Sequence, residues 1–277
     1  MLLLGVDFSS APTARKPITA AIGHWRRSGR TAWYDLEDIR ELPSLDAFTA
    51  FLQTPGPWIG GFDLPFGQPR PLIEHEDWPT RWPEFVRFFC GQPRDVLRER
   101  FRAWCGARPP GDKFAWRRAD KPAGSSPAMR WTNPPVAWMM HAGIERMLAA
   151  GLSFPAHRHA PRGARAAQSR IAVEAYPGFT ARQVCRRSYK SDAPGGRTQE
   201  RADNRRAIVA ALTAGAAGLA IRLTMGRGWT KRLVAEPRGD LLDAVICALQ
   251  AGHAAALPNY GLPRAVDPLE GWIASVP

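Results

Sequence analysis

LLLGVDFSS, residues 2–10, decides the fold. Apolar residues and one glycine run from Leu2 to Val6, Asp7 is the only charge, and two serines and Pro12 follow. The first part reads as a buried strand that ends in an acid. Taking a carboxylate out of water is costly unless positive charge meets it, so this aspartate needs a partner, a metal ion or an open strand end.

Two later segments repeat the pattern. In PGPWIGGFDLPFG (55–67), Trp58 to Phe62 are apolar or glycine, Asp63 is the sole charge, and Pro65 ends the strand because proline brings no ladder donor. In RIAVEAYPG (170–178), Ile171 to Val173 precede Glu174 and Pro177 closes the run. Three strands are therefore expected to end in a carboxylate.

Around them, KPITAAIGHWRR (16–27) reads as a second strand, SGR as a hairpin turn, and TAWYDLEDI as the start of a third strand. Leu45, Phe48 and Leu52 are spaced for one helical face, with Ser44 as the cap. Residues from about 68 to 165 read as a mainly helical insertion, rich in proline, tryptophan and arginine, within a single domain spanning 1–277. RDVLRERFRAWCG places Leu97, Phe101 and Trp104 on one face, and VAWMMHAGIERMLAAG aligns Val136, Met140 and Ile144. The intervening GDKFAWRRADKPAGSSPAMRWTNPP reads as loop. Six of the eleven tryptophans fall within 68–150, where they are expected to fill the insertion's core rather than stack on bases. From 199 onward the chain reads as helical.

Composition bounds the function. With 277 residues, 45% of them hydrophobic and 23% charged, the chain is globular rather than disordered. Lysine and arginine number 38 against 25 acids, a formal charge of +13 that suits polyanions such as nucleic acid. Basic residues crowd 158–206, among them Arg158, Arg162 and Arg165. The four cysteines contain no C-x-x-C pair, so neither a zinc site nor a disulfide framework is suggested, and a reduced, cytoplasmic setting is expected. The opening apolar run is too short for a secretory signal, and no stretch approaches the roughly 20 apolar residues of a membrane span. His157 and His159, in HRHAPRGAR, read as a surface loop rather than a metal site.

The final helix carries more acid. Asp240 and Asp243, three apart, share one face, yet an aspartate at the N-cap with a second at N3 is also an ordinary helix start. The rest of that helix is almost wholly apolar, so it is expected to lie across a sheet with its acidic end fixed. A β-β-β-α-β-α-β-α order sets the first and fourth strands side by side. Asp7 and Asp63 then become neighbours, and Asp243 comes down on them. Carboxylates so crowded cannot all ionise without cations, and an all-oxygen set suits Mg²⁺ or Mn²⁺.

This order, with GVDFSS, GFDLPFG, VEAYPG followed by Lys190, Arg201 and Arg205, and DLLDAVICALQAG, resembles the RNase H-like superfamily. It is more closely similar to the family catalogued as domain of unknown function 429, described as predicted RNase H-like nucleases. The resemblance implies an α/β fold with a five-stranded mixed sheet flanked by helices and a helical insertion after the fourth strand. It also implies a metal-dependent nuclease, hydrolysing phosphodiesters with two Mg²⁺ or Mn²⁺ ions on Asp7, Asp63, Glu174 and Asp243. Asp240 would act as a cap or outer support, and Lys190, Arg201 and Arg205 would face substrate phosphates. Lys190 reads more readily as an exposed loop lysine, and Glu174 reads equally as the partner of a nearby arginine in a sheet-edge salt bridge. Two other functions stay open on the same fold. An ATP-dependent phosphotransferase of the sugar kinase and actin-like branch usually shows glycine after the first aspartate, where this chain has Phe8. A non-catalytic nucleic-acid-binding protein would leave the four carboxylates unexplained.

Overall fold

A computed structural model describes residues 1–29, 31–161 and 168–277. Arg30 of the SGR turn, and Arg162, Arg165 and the end of the insertion, lie outside them. The chain runs β1 (Leu2–Asp7), β2 (Ile18–Ser28), β3 (Thr31–Leu42), α1 (Leu45–Phe51) and β4 (Trp58–Asp63). The insertion follows as α2 (Arg70–His75), α3 (Trp82–Gly91), α4 (Arg94–Gly106), α5 (Asp120–Ala123) and α6 (Val136–Ala149). The remainder is β5 (Arg170–Glu174), α7 (Pro177–Val184), α8 (Gln199–Ala214), β6 (Arg222–Met225), α9 (Trp229–Ala235) and α10 (Asp240–Ala256).

The sheet order is β5-β4-β1-β2-β3-β6. The first three strands pair antiparallel, and β4 pairs parallel with β1, as the sequence order requires. The expected five strands become six, because β6 adds parallel to the free edge of β3. Four residues are too few for an alternation to show in sequence, so β6 exists through its partner rather than its own pattern.

Alternation along the strands divides the core between two faces. Leu4, Val6, Phe8 and Phe62 join the aromatic cluster built with the insertion, while Leu3, Ile59 and Val173 join the cluster built with α8, α9 and α10. Trp78, Trp82, Trp104 and Trp138 are buried in the first cluster, so these tryptophans are core. Ser44 caps α1 as expected, its Oγ accepting from the Ala47 amide at 3.0 Å. The loop expected at HRHAPRGAR is not a surface one at its start. His157 is buried, stacked on Trp82 at 4.2 Å between ring centroids, with Nδ1 2.8 Å from the Pro268 carbonyl oxygen. That contact spans more than a hundred residues of chain, which local composition does not reveal. The cysteines are free thiols. Among the described residues no helix is long and apolar enough to cross a membrane.

Candidate active site

Asp7 and Asp63 are direct partners in the parallel β1–β4 ladder, so their backbones lie about 4.8 Å apart. Alternation fixes their direction. Asp7 is two residues from Gly5 and four from Leu3, and Asp63 is two from Gly61 and four from Ile59, which puts both acids on the α10 face. Gly5 and Gly61 are themselves ladder partners. A Cβ on Gly5 would stand 2.0 Å from the Ala244 carbonyl oxygen, and one on Gly61 would stand 2.2 Å from that of Cys247. Two adjacent glycines thus let α10 lie directly on the sheet, and its first turn carries Asp243 to the strand ends. Small residues on the helix side complete the fit: Ala244, Cys247 and Ala248 are fully buried.

The electrostatics follow from this packing. Burial, reinforced by Asp243 and opposed by Lys190, holds the Asp7 carboxyl well above the usual carboxylate range. Burial likewise pushes Asp63 up to about 7, against the pull of Lys190 and with the repulsion of Asp243 and Glu174. Asp243 has no solvent exposure. It accepts a hydrogen bond from the Tyr189 hydroxyl at 2.5 Å and another from the Lys190 ammonium. Burial disfavours charge on Lys190, but Asp243 and Asp7 outweigh it and keep the ammonium protonated well above its usual range. Lys190 is therefore neither a free loop lysine nor a residue removed from the acids: 44% of its side chain is exposed, yet its charged end reaches Asp243. Tyr189 had no signal in sequence beyond its place beside Lys190.

Glu174 goes elsewhere. The β4–β5 ladder pairs it with Phe62, one position short of Asp63, so the pleat turns it toward the insertion. There Arg117 donates to both its oxygens, at 2.6 and 2.7 Å, and to Asp120 at 2.8 Å, with all three side chains buried. The Phe66 amide adds a bond at 3.0 Å. Burial raises the Glu174 carboxyl, and Arg117 opposes that rise. The salt-bridge reading of Glu174 thus describes its contacts, with an arginine drawn from the stretch that reads as loop. Nothing in the local pattern marks Arg117, because its partner lies on another element.

The expected cap is also corrected. Asp240 is the first residue of α10, and Gly239, at φ +79°, is the N-cap, without a side-chain cap bond. A glycine there leaves no Cβ to press on Lys190, whose own Cβ would be 2.9 Å away. Asp240 instead lies 3.2 Å from Arg238 as an ion pair, with that oxygen lacking hydrogen-bond geometry. Burial and the Glu236 carboxylate push its acid up to about 6. Arg201 and Arg205 do not face the acids. Arg201 donates to the Gly196 carbonyl, and buried Arg205 donates to Val234 and Tyr189 carbonyls at 2.8 and 2.6 Å. Arg205 therefore holds in place the backbone that presents Tyr189 and Lys190.

The acids open into a cleft of about 560 Å³ that Asp7, Asp63, Asp240 and Lys190 line together with Lys16, Arg238, Ser9 and Ser10. Glu174 and Arg117 line it as well, from the insertion side. As the side chains stand, no three His, Cys, Asp or Glu among the described residues form a ready-made metal cage, and Lys190 supplies the positive charge. The donor chemistry of Asp7, Asp63 and Asp243, all carboxylate oxygen, nonetheless suits a hard divalent cation. Compared with models of known protein families, with curated proteins and with solved structures, the chain matches none of them.

Proposed function

We propose that the protein is a metal-dependent phosphodiesterase acting on nucleic acid, with Asp7, Asp63 and Asp243 as the carboxylates that hold Mg²⁺ or Mn²⁺. One observation carries this reading: three aspartates from two strands and a helix converge, Asp7 and Asp63 lining the cleft and Asp243 buried beside them, with burial and the repulsion of Asp243 holding Asp7 and Asp63 above their ordinary proton affinity. A fold gains nothing in stability from such crowding, which is the arrangement expected where a cation or phosphate is to be handled. When bound, divalent ions would lower the pKa of the attacking water and neutralise charge on the leaving oxygen.

The chain's own residues would then do three things. Tyr189 and Lys190 orient Asp243 through its two oxygens. Lys190, once an ion meets Asp243, has an ammonium at the same spot to offer a phosphate oxygen. Lys16, paired with Asp192 at 2.8 Å, and Arg238 place further positive charge around the mouth. Glu174 is left out of the ion-holding set because Arg117 already occupies both its oxygens.

Labelled single-stranded, duplex, hybrid and branched substrates, incubated with Mn²⁺, test the proposal. Cleavage by the wild type and its loss by at least about a hundredfold in Asp7→Asn, with the fold intact by circular dichroism, is the expected result. Full activity in Asp7→Asn overturns the mechanism.

A further inference from the structure

A second groove, of about 920 Å³, reaches Pro237, the residue before Arg238 of the acid-bearing cleft. The two depressions adjoin there: Arg238 lines the acid-bearing cleft and Pro237 lines this groove, and the Ser191 amide donates to the Pro237 carbonyl at 3.0 Å. The groove runs between α8 and α9, and its charged lining is Arg197, Arg205, Arg206 and Lys231. Among the described residues no carboxylate lines it. Thr198, Gln199 and Thr230 add neutral donors.

The state of each cation separates this groove from an ordinary solvated surface. Arg205 is buried and committed to the Val234 and Tyr189 carbonyls, so it forms a fixed positive floor. Burial lowers its proton affinity, against the opposing pull of the Glu236 carboxylate. Arg206 pairs with Asp203 within α8, an exposed pair that competes only weakly with a phosphate. Among the described residues Arg197 and Lys231 have no ion-pair partner, and both are exposed. The groove is therefore positive on floor and rim. Ala202, Val234, Ala235 and Pro237 are its apolar side chains, and its other lining side chains are charged or hydrogen-bonding.

We infer that this groove binds the phosphodiester backbone of a single nucleic-acid strand that continues past Pro237 and Arg238 toward the acids. The inference rests on the phosphodiesterase reading for its direction. The ligand class follows from the lining: repeated anions satisfy several separated cations at once, whereas a lone phosphate would engage only part of them. It also reassigns the expected phosphate contacts: Arg197 and Lys231 contact substrate, while Arg205 supports them and Arg201 does not take part.

Fluorescence anisotropy of a labelled 20-nucleotide oligothymidylate, titrated in EDTA at several salt concentrations, tests this without cleavage. The double variant Arg197→Gln with Lys231→Gln should lower the log–log salt slope by about 1.4 and weaken binding about 20-fold at 0.1 M salt, on the single-strand value of about 0.7 per phosphate contact. Arg87→Gln with Arg102→Gln removes the same net charge from exposed positions on α3 and α4, and should leave slope and affinity near the wild-type values. Wild-type affinity and slope in the groove variant, equal losses in both double variants, or no binding by the wild type would each overturn the groove. Because chelator is present, these outcomes are independent of whether Mn²⁺-dependent cleavage is found. Groove-dependent binding without cleavage would leave the groove standing and remove the catalytic reading.

Discussion

Asp63 ends β4 and Glu174 ends β5, on neighbouring parallel strands, yet the two carboxyls meet opposite surroundings. Asp63 lies on the α10 face among other acids, pushed up to about 7, and Lys190 is the nearest compensation. Glu174 lies on the insertion face, gripped by two nitrogens of Arg117 and by the Phe66 amide. In sequence both are a short apolar strand, an acid and a proline. The ladder separates them, because Glu174 is opposite Phe62 rather than Asp63, and one residue of register sends a side chain to the other face of a sheet. A strand-end acid is thus a reactive or a structural group according to its parity, and parity is a property of the paired strands.

The largest stability effect is expected on the compensated side. Arg117→Met leaves Asp120 and Glu174 buried without their cation, and breaking such a pair from one end costs about 3–5 kcal/mol. Urea denaturation at pH 7 measures it. A loss below about 1 kcal/mol would mean that water already shares those carboxylates and that the two sides differ less than their contacts suggest.

On the α10 side, where one lysine faces several acids, the sign reverses. The folded-state pKa of Asp63, about 7, lies above the ordinary 3.8. Between those values the native state keeps a proton that the unfolded chain has released, so stability falls as pH rises through that window. Asp63→Asn, which carries no charge at any pH, should therefore be more stable than the wild type by about 1 kcal/mol or more at pH 8 in EDTA, with the gain fading toward pH 4. Thermal melts at the two pH values check this. A constant difference across the range would show that Asp63 is already paired in the native state.

Much of this architecture is legible from residues alone, for identifiable reasons. β1, β4 and β5 each end on the acid that punctuates an apolar run, and Leu97, Phe101 and Trp104 lie buried on α4 as their spacing requires. Asp7, Asp63 and Asp243 meet because strand order and one apolar helix already imply it. What is not legible depends on partners distant in sequence. Arg117 sits in a segment without periodicity, β6 borrows its structure from β3, and His157 is buried by contact with Trp82 and residue 268. Gly5 and Gly61 are visible as letters, but their purpose appears only when α10 is laid on them. The apparent cap at Asp240 fails for a local reason: Gly239 takes a left-handed conformation and starts the helix one residue earlier.

The claim that the two sides differ in kind is tested most directly by titrating Mn²⁺ calorimetrically into the wild type, Asp243→Asn and Glu174→Gln, each shown to be folded by circular dichroism. Mn²⁺ should bind the wild type, bind Asp243→Asn at least about tenfold more weakly, and bind Glu174→Gln with nearly wild-type affinity, since Glu174 is held by Arg117 and not by an ion. Unchanged affinity in Asp243→Asn, or a loss in Glu174→Gln as large as that in Asp243→Asn, would contradict the assignment of the ion-holding site to Asp7, Asp63 and Asp243.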